Sequence, residues 1–574
     1  MTNLFLSRRK KSETGFTLIE LLAVIVILAV IATISVPIIL DVIQDVREKS
    51  FQVSVDNVIG AVLQKCQRQK LDGEEITTSY NFEDGVANPS LEIQGDLFKI
   101  GTISVGEDCS ISALISDGSY TATKTADSSV VTIASGQNIP TLYADASGAN
   151  QPVLYSNMIP VYYDTDASSW IYADLYSEWY DYDSKEWANA VVLIASPSQE
   201  YSTGDSILMS DISQMYVWIP RFNYVIFNGN DSTVAVQEIN VTFESETAST
   251  GTTTCVDAIS GSSTSSETCT DATNGSIVDG TSTYTHPAFT FGSTDLTGFW
   301  FGKFEIGNVT SCSAANGSVG TGCDLTTLGI QVKPDVSSWR GARVSTFFTA
   351  IFNIASNYSI NADTHMSKNM EWGAVAYLSK SQYGLGTTDI GTNNEYNGVT
   401  GCGIINNNSG SSSFTCNSYD TDNGQLASTT GNLYGIYDMS GGMSDLLMAD
   451  MVFQDETVMS GETTYNSGFT GTLFNGSTSS AFVGVDMPSN KYYDLYSYTG
   501  TSNYNIYVSK LGDAMKEVQG WYSDGISTMY GYHPWIQRGG GVYVSAGNGL
   551  FYTYPSYGYA NTSTTSRVSI TESD

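Results

Sequence analysis

Gly15–Leu40 reads GFTLIELLAVIVILAVIATISVPIIL: apolar or small residues throughout, broken by a single charge, Glu20, and a single helix-breaker, Pro37. At roughly 1.5 Å per residue this run makes a helix of about 37 Å, enough to cross a hydrocarbon core of about 30 Å. Upstream lies a short basic leader, MTNLFLSRRKKSETG, in which Arg8, Arg9, Lys10 and Lys11 stand against Glu13. Downstream, Val42, Ile43, Val46, Phe51, Val55, Val58, Ile59, Val62 and Leu63 recur three and four apart among charged residues. That spacing predicts an amphipathic continuation with a narrow apolar stripe, running to Lys70 and stopping before Asp72-Gly73.

The order of leader and helix is informative. A secretory signal places its cleavage site after the apolar core, beside small residues. Here the charged segment ends in Gly15 and the whole apolar helix follows it. G-F-T-L-I-E ahead of a long apolar run resembles the type IV pilin N-terminus. The resemblance implies that a prepilin peptidase cuts after Gly15 on the cytoplasmic side and methylates Phe16. It implies that Glu20 is the family's fifth-position glutamate and Pro37 its helix-loosening proline. Physical chemistry agrees: a carboxylate inside an apolar helix is costly in lipid and marks a function. In a filament, Glu20 can pair with the α-amino group of Phe16 on a neighbouring subunit and offset the desolvation of both. The basic leader stays cytoplasmic under the positive-inside tendency.

The rest of the 574 residues is too long for one core, and two to four domains are expected. Long helical patterns are rare after residue 70, whereas Gly, Ser, Thr, Asn and Tyr are abundant, which favours strands and loops. The net charge is −35 and becomes −38 without the leader's net +3, so the body repels phosphate backbones and nucleic acid is excluded as a partner. Eight cysteines, Cys66, Cys109, Cys255, Cys269, Cys312, Cys323, Cys402 and Cys416, contain no CxxC. On an exported chain they read as four sequential disulfides, 66–109, 255–269, 312–323 and 402–416, a connectivity that sequence alone leaves open.

These features divide the chain into a leader (1–15), a transmembrane and assembly helix (16–70), a small β head (71–133), a linker (134–152) and a large domain (153–574). The large domain has a Ser/Thr-rich insertion at 244–285. Within it, Phe299–Glu305 (FWFGKFE), Asn369–Ala374 (NMEWGA), Gly431–Gly442 (GNLYGIYDMSGG), Arg538–Gly541 (RGGG) and a late Arg567 follow one another. These blocks, in this order, resemble the formylglycine-generating-enzyme or sulfatase-modifying-factor fold, a relative of C-type lectins. The fold class expected is therefore α+β. It comprises a long N-terminal helix with a small antiparallel head, as in pilins, and then a loop-rich α+β domain of the sulfatase-modifying-factor type.

Two departures bear on activity. The oxidase members use a pair of cysteines near the C-terminus, and none follows Cys416 here. Ser444-Asp445-Leu446 replaces the usual W-E-(W/Y). No catalytic residue is therefore expected. Asp438 is expected to serve backbone amides, and His286, His365 and His533 to be packed or hydrogen-bonded. No metal or cofactor is expected; calcium at Asp420–Gly424, which opens like a calcium loop but lacks the distal glutamate, is the alternative kept open.

The functional expectation is a pilin-like surface filament subunit, minor or at the tip, presenting an adhesive domain. Its partners are the prepilin peptidase, other pilin subunits through the N-terminal helix, the membrane, and a host or surface glycan or protein. It is a single-pass membrane protein before assembly and extracellular afterwards. The alternatives are a major pilus subunit, a pseudopilin of a secretion or DNA-uptake system, or a surface-displayed sulfatase-modifying-type enzyme.

Overall fold

The structure, a computed structural model, describes residues 46–573 with gaps, the longest being 92–97, 136–141, 226–235, 252–257, 261–282, 309–328, 404–415, 454–466, 471–484, 499–506 and 542–547. The expected leader and apolar helix, with Gly15, Phe16, Glu20 and Pro37, lie outside the described residues, as do Cys255, Cys269, Cys312 and Cys323. Among the described residues no helix is long and apolar enough to cross a membrane. The fold is α+β, mostly sheet with few helices, and the chain divides into two compact units, Met1–Thr141 and Leu142–Asp574.

The first unit packs helix 46–72 against a six-stranded sheet in which every neighbouring pair is antiparallel. Phe51, Val55, Val58, Val62 and Cys66 recur at helical spacing and are all buried. They meet alternate residues of the strands, including Tyr80, Phe82, Ile103, Ile111, Ile115 and Tyr120. The apolar stripe is narrower than the sequence suggests: Val46 is 61% exposed, and Ile59 and Leu63 are only half-buried. The helix runs two residues past its expected end and stops at Gly73, whose φ of 71° is open to glycine and costly for a side chain. The last strand, Thr132–Ser135, occupies the start of the stretch read as linker.

The second unit begins within the rest of that stretch: Ala149 is buried in its core, and Asn150 Nδ2 donates to Thr297 O at 2.8 Å. Its main sheet has eight strands in the order Ser206–Ile207, Ser169–Tyr172, Met158–Asp164, Asn189–Leu193, Ile212–Pro220, Gly298–Gly302, Val568–Thr571 and Asp363–Met366. All neighbours are antiparallel. The central strand Ile212–Pro220 is buried along its whole length, as a strand covered on both faces must be. A second sheet is built on Ser444–Phe453, which is antiparallel to Trp535–Arg538 and parallel to Asp494–Tyr498.

Helix Asn369–Ser379 is buried on every face, and its composition shows why. Ala, Gly, Met, Trp and Leu supply apolar surface all round, and Glu371 reaches back to accept the Lys368 amide at 2.9 Å. Gly373 sits against backbone: a Cβ there would lie 1.9 Å from Gly512 O. Alanine usually stabilises a helix by about 1 kcal/mol over glycine, but here the overpacking penalty of about 1–3 kcal/mol wins. Gly373→Ala should therefore lower the denaturant midpoint, whereas Gly60→Ala in helix 46–72, with nothing within 4 Å of its Cβ, should raise stability. Urea unfolding followed by circular dichroism checks both signs.

The Ser/Thr-rich insertion leaves and rejoins the fold at a single buried ion pair. Arg221 Nε lies 3.1 Å from Glu244 Oε2, and Glu244 Oε1 accepts from Thr250 N and Thr285 Oγ1, both at 2.7 Å. One carboxylate thus holds residues on both sides of the insertion.

Candidate functional site

The first unit carries a covalent tie between its helix and its sheet. Cys66 and Cys109 form a disulfide across 43 residues, Cα atoms 5.9 Å apart, and fasten the helix to the sheet. A pull on the helix is thus passed to the head through a covalent link as well as through packing.

In the second unit the five sequence blocks converge on two arginines and one tryptophan. The guanidinium groups of Arg538 and Arg567 lie 5.7 and 5.9 Å from the ring of Trp372. Arg567 Nε donates to Asp445 Oδ2 at 2.9 Å, and its terminal nitrogens donate to Gly302 O and Tyr437 O. Arg538 donates to Asn369 Oδ1, Asp513 O and Ala514 O. Lys303, also fully buried, donates to Asn189 Oδ1, Leu433 O and Gly435 O, three acceptors for the three protons of an ammonium. Burial alone pulls its pKa well below the ordinary lysine range.

Three carboxyl groups share the surroundings of Arg567. Asp438, at a φ of 61°, accepts from Gly401 N and Asn393 Nδ2. Its service to a backbone amide matches the sequence expectation. Glu305 accepts from Met443 N at 2.8 Å and meets the hydroxyl of Ser338, which also donates to Gly398 O. Ser338 has one proton and two neighbours to satisfy, so a protonated Glu305 completes the pair. Burial pushes all three acids up, and the Arg567 charge pulls back only in part: Glu305 rises well above the usual range, Asp438 rises, and Asp445 reaches about 6.

His365 carries the opposite arrangement. Its ring lies between Asp363 Oδ1 at 3.2 Å and Glu371 Oε1 at 2.9 Å and stacks on Phe291. Burial lowers its pKa, but the two carboxylates outweigh this and hold the imidazolium, while Asp363 and Glu371 are themselves held low by His365 and their hydrogen bonds. Tyr492 OH continues the chain to Asp363, and Ser569 Oγ links Glu371 to the strand Val568–Thr571. His286 is the contrary case. Its Nδ1 accepts from Ala288 N, its Nε2 faces Gly512 O, and burial lowers its pKa to about 3.

These shifts fix the sign of each group's pH dependence. Asp445 at about 6 and Asp524 at about 7, against an ordinary 3.8, keep protons in the folded state that the unfolded chain releases. They therefore erode stability as pH rises from about 4 to about 7. The raised His365 contributes stability below its unfolded value of 6.5, which is lost as pH climbs through the folded value. The lowered Asp363 and Glu371 lose theirs only as pH falls below 3.8 and 4.5. His286, lowered to about 3, and the lowered Lys303 push the other way, so the test is differential: between pH 5 and pH 8 the melting temperature of Asp524→Asn should fall less, or rise more, than that of the parent. Parallel profiles for the two chains contradict this assignment.

Cys402 and Cys416 form the second disulfide among the described residues. Where the calcium-loop opening was read, the chain instead makes the helical turn Asp422–Gln425, with Thr421 Oγ1 accepting from Gly424 N. No group of three or more His, Cys, Asp or Glu that could hold a metal ion occurs among the described residues. His533 packs on Tyr557, ring centroids 3.6 Å apart. The Asp363–His365–Glu371 chain and the Lys303 cradle escaped the sequence reading. The one available signal was the three-residue spacing of Lys368 and Glu371 at a helix start.

The family model described as the prokaryotic N-terminal methylation motif matches residues 10–36. No curated protein compared with the chain matches it. The chain thus carries a type IV pilin-like prepilin N-terminus, which implies processing by a prepilin peptidase, anchoring in the membrane and assembly with other pilin-type subunits.

Proposed function

We propose that the chain is a minor or tip subunit of a type IV pilin-like surface filament, presenting its second unit as an adhesive domain without catalysis. The observation that carries this reading is the join of the methylation motif at 10–36 to a helix covalently fastened to a sheet head, followed by a second unit spanning 142–574. A unit of that size on every subunit would crowd a helical array, which favours a sparse or terminal position.

The convergence of Phe299–Glu305, Trp372, Asp438, Arg538 and Arg567 on one core supports a sulfatase-modifying-factor type of fold for the second unit. The acids and bases of those blocks are buried and engaged with one another. That supports a scaffold role for them, with binding left to the loops and surface.

Mass spectrometry of the mature N-terminus together with immunogold labelling tests the proposal. A start at methylated Phe16 and label confined to filament tips are expected. Dense, even label along the shafts would overturn the tip assignment, and a chain still carrying Met1–Gly15 in filaments would overturn the processing.

A further inference from the structure

Nine asparagines of the chain stand in the pattern Asn-x-Ser/Thr with x other than proline. That tripeptide is the acceptor pattern for N-linked glycans, which are bulky and need a surface. The chemistry asks for an asparagine Nδ2 free to form a bond and a hydroxyl two residues on, open on the same side of the chain. Three of the nine, Asn240, Asn357 and Asn561, have described side chains, and the fold separates them. Asn357 lies in helix Ile354–Tyr358, where positions two apart point about 200° apart around the axis, and Ser359 is a left-handed cap. Asn561 is half-buried, and its Oδ1 accepts from Ser563 N at 2.9 Å.

Asn240 meets both demands. It precedes the strand Val241–Phe243, which ends a three-stranded sheet. Ile239, Val241 and Phe243 are buried, whereas Asn240 and Thr242 are exposed, so the alternation of extended chain puts the amide and the hydroxyl on one open side. Neither side chain makes a hydrogen bond or ion pair among the described residues. The backbone, by contrast, is engaged on both sides. Val225 N donates to Asn240 O at 3.0 Å, Ile239 N to Lys380 O at 2.8 Å, and Gln382 Nε2 to Val241 O at 2.8 Å. Folding thus fixes the segment while leaving its two acceptor groups in solvent.

We propose that Asn240 carries an N-linked glycan, with Thr242 supplying the hydroxyl that the transferring enzyme reads. The bond that forms joins Asn240 Nδ2 to the anomeric carbon of a lipid-linked sugar phosphate. The bond that breaks is that carbon's link to the phosphate oxygen, which leaves with the electron pair while the amide proton passes to a base of the enzyme. Because the folded backbone is held on both sides, transfer takes place on the emerging chain, before the bonds to Val225, Lys380 and Gln382 close. The finished fold then has room for the sugar, since nothing packs on either acceptor group. The inference rests on the proposed function in one respect, that the second unit lies outside the membrane.

The test is mass spectrometry of the full chain recovered from the cells that make it. Cleavage after glutamate releases Ile239–Glu244, a peptide with a single asparagine. Most copies of it should carry sugar mass on Asn240. Thr242→Ala should lower that occupancy about tenfold or more, although residue 242 forms no bond to the sugar, whereas Thr242→Ser should keep it. Asn240→Gln should abolish it. All three variants replace exposed side chains without partners, so their melting temperatures should match that of the parent stripped of sugar. The proposal is overturned by a bare Asn240, by sugar on Thr242 itself, or by full occupancy in the Thr242→Ala chain. A bare Asn240 on a chain that starts at methylated Phe16 and labels filament tips removes the glycan alone. A glycosylated Asn240 on a chain absent from filaments removes the filament reading alone.

Discussion

Arg567→Leu should destabilise the second unit by about 3–5 kcal/mol, the cost of removing one partner from a buried ion pair. The arginine and Asp445 are both fully buried, and Asp445 Oδ1 has no hydrogen-bond partner to fall back on. Leucine would also strand Gly302 O and Tyr437 O and leave Glu305 and Asp438 without the cation that restrains their pKa values. Asp445→Leu in the same chain should recover much of the loss, because a buried pair replaced by apolar residues is often close to neutral. All nine tryptophans lie between Trp170 and Trp535, so indole fluorescence during urea unfolding reads this unit alone. Equal midpoints for the single and double variants would show that the pair is not what holds the blocks together.

Glu20→Ala should abolish incorporation into filaments while improving the fit of the helix to lipid. Glu20 is the fifth residue of the apolar run, so its cost in lipid is smaller than the about 2.5–3.5 kcal/mol of a charge at the helix centre, but an ordinary anchor still gains by losing it. An assembly element loses instead, because the Phe16 ammonium of the neighbouring subunit is left without its counter-charge. Fractionation separates the two: processed Glu20→Ala chain should accumulate in the membrane and be missing from sheared surface material. Normal recovery in the sheared fraction would reduce Glu20 to a bystander.

The sequence was most readable where a local pattern carries its own physics. Phe51, Val55, Val58 and Val62 declare a buried helical face by spacing alone. The gathering of Glu305, Asp438, Asp445 and Arg567 was not readable, because it joins positions up to 262 residues apart and no periodicity encodes that meeting. Nor could His365 be assigned a charge from sequence. That depends on two carboxylates, one of them contributed by the following helix, outweighing desolvation of the ring. Where exposure decides, as at Val46 and Asn240, composition gave the residue type and the fold alone gave the side.

The strand Val568–Thr571 lies between Gly298–Gly302 and Asp363–Met366 in the main sheet. A chain that crosses a membrane from its N-terminal anchor outward delivers those two flanking strands hundreds of residues before the one that joins them. Until residue 571 has emerged, the sheet has a missing rung and the ion pair of Arg567 cannot form. Such long-range pairing is slow as well as late. The main sheet of the second unit therefore closes only when residues 568–571 are there to bridge strands more than two hundred residues upstream.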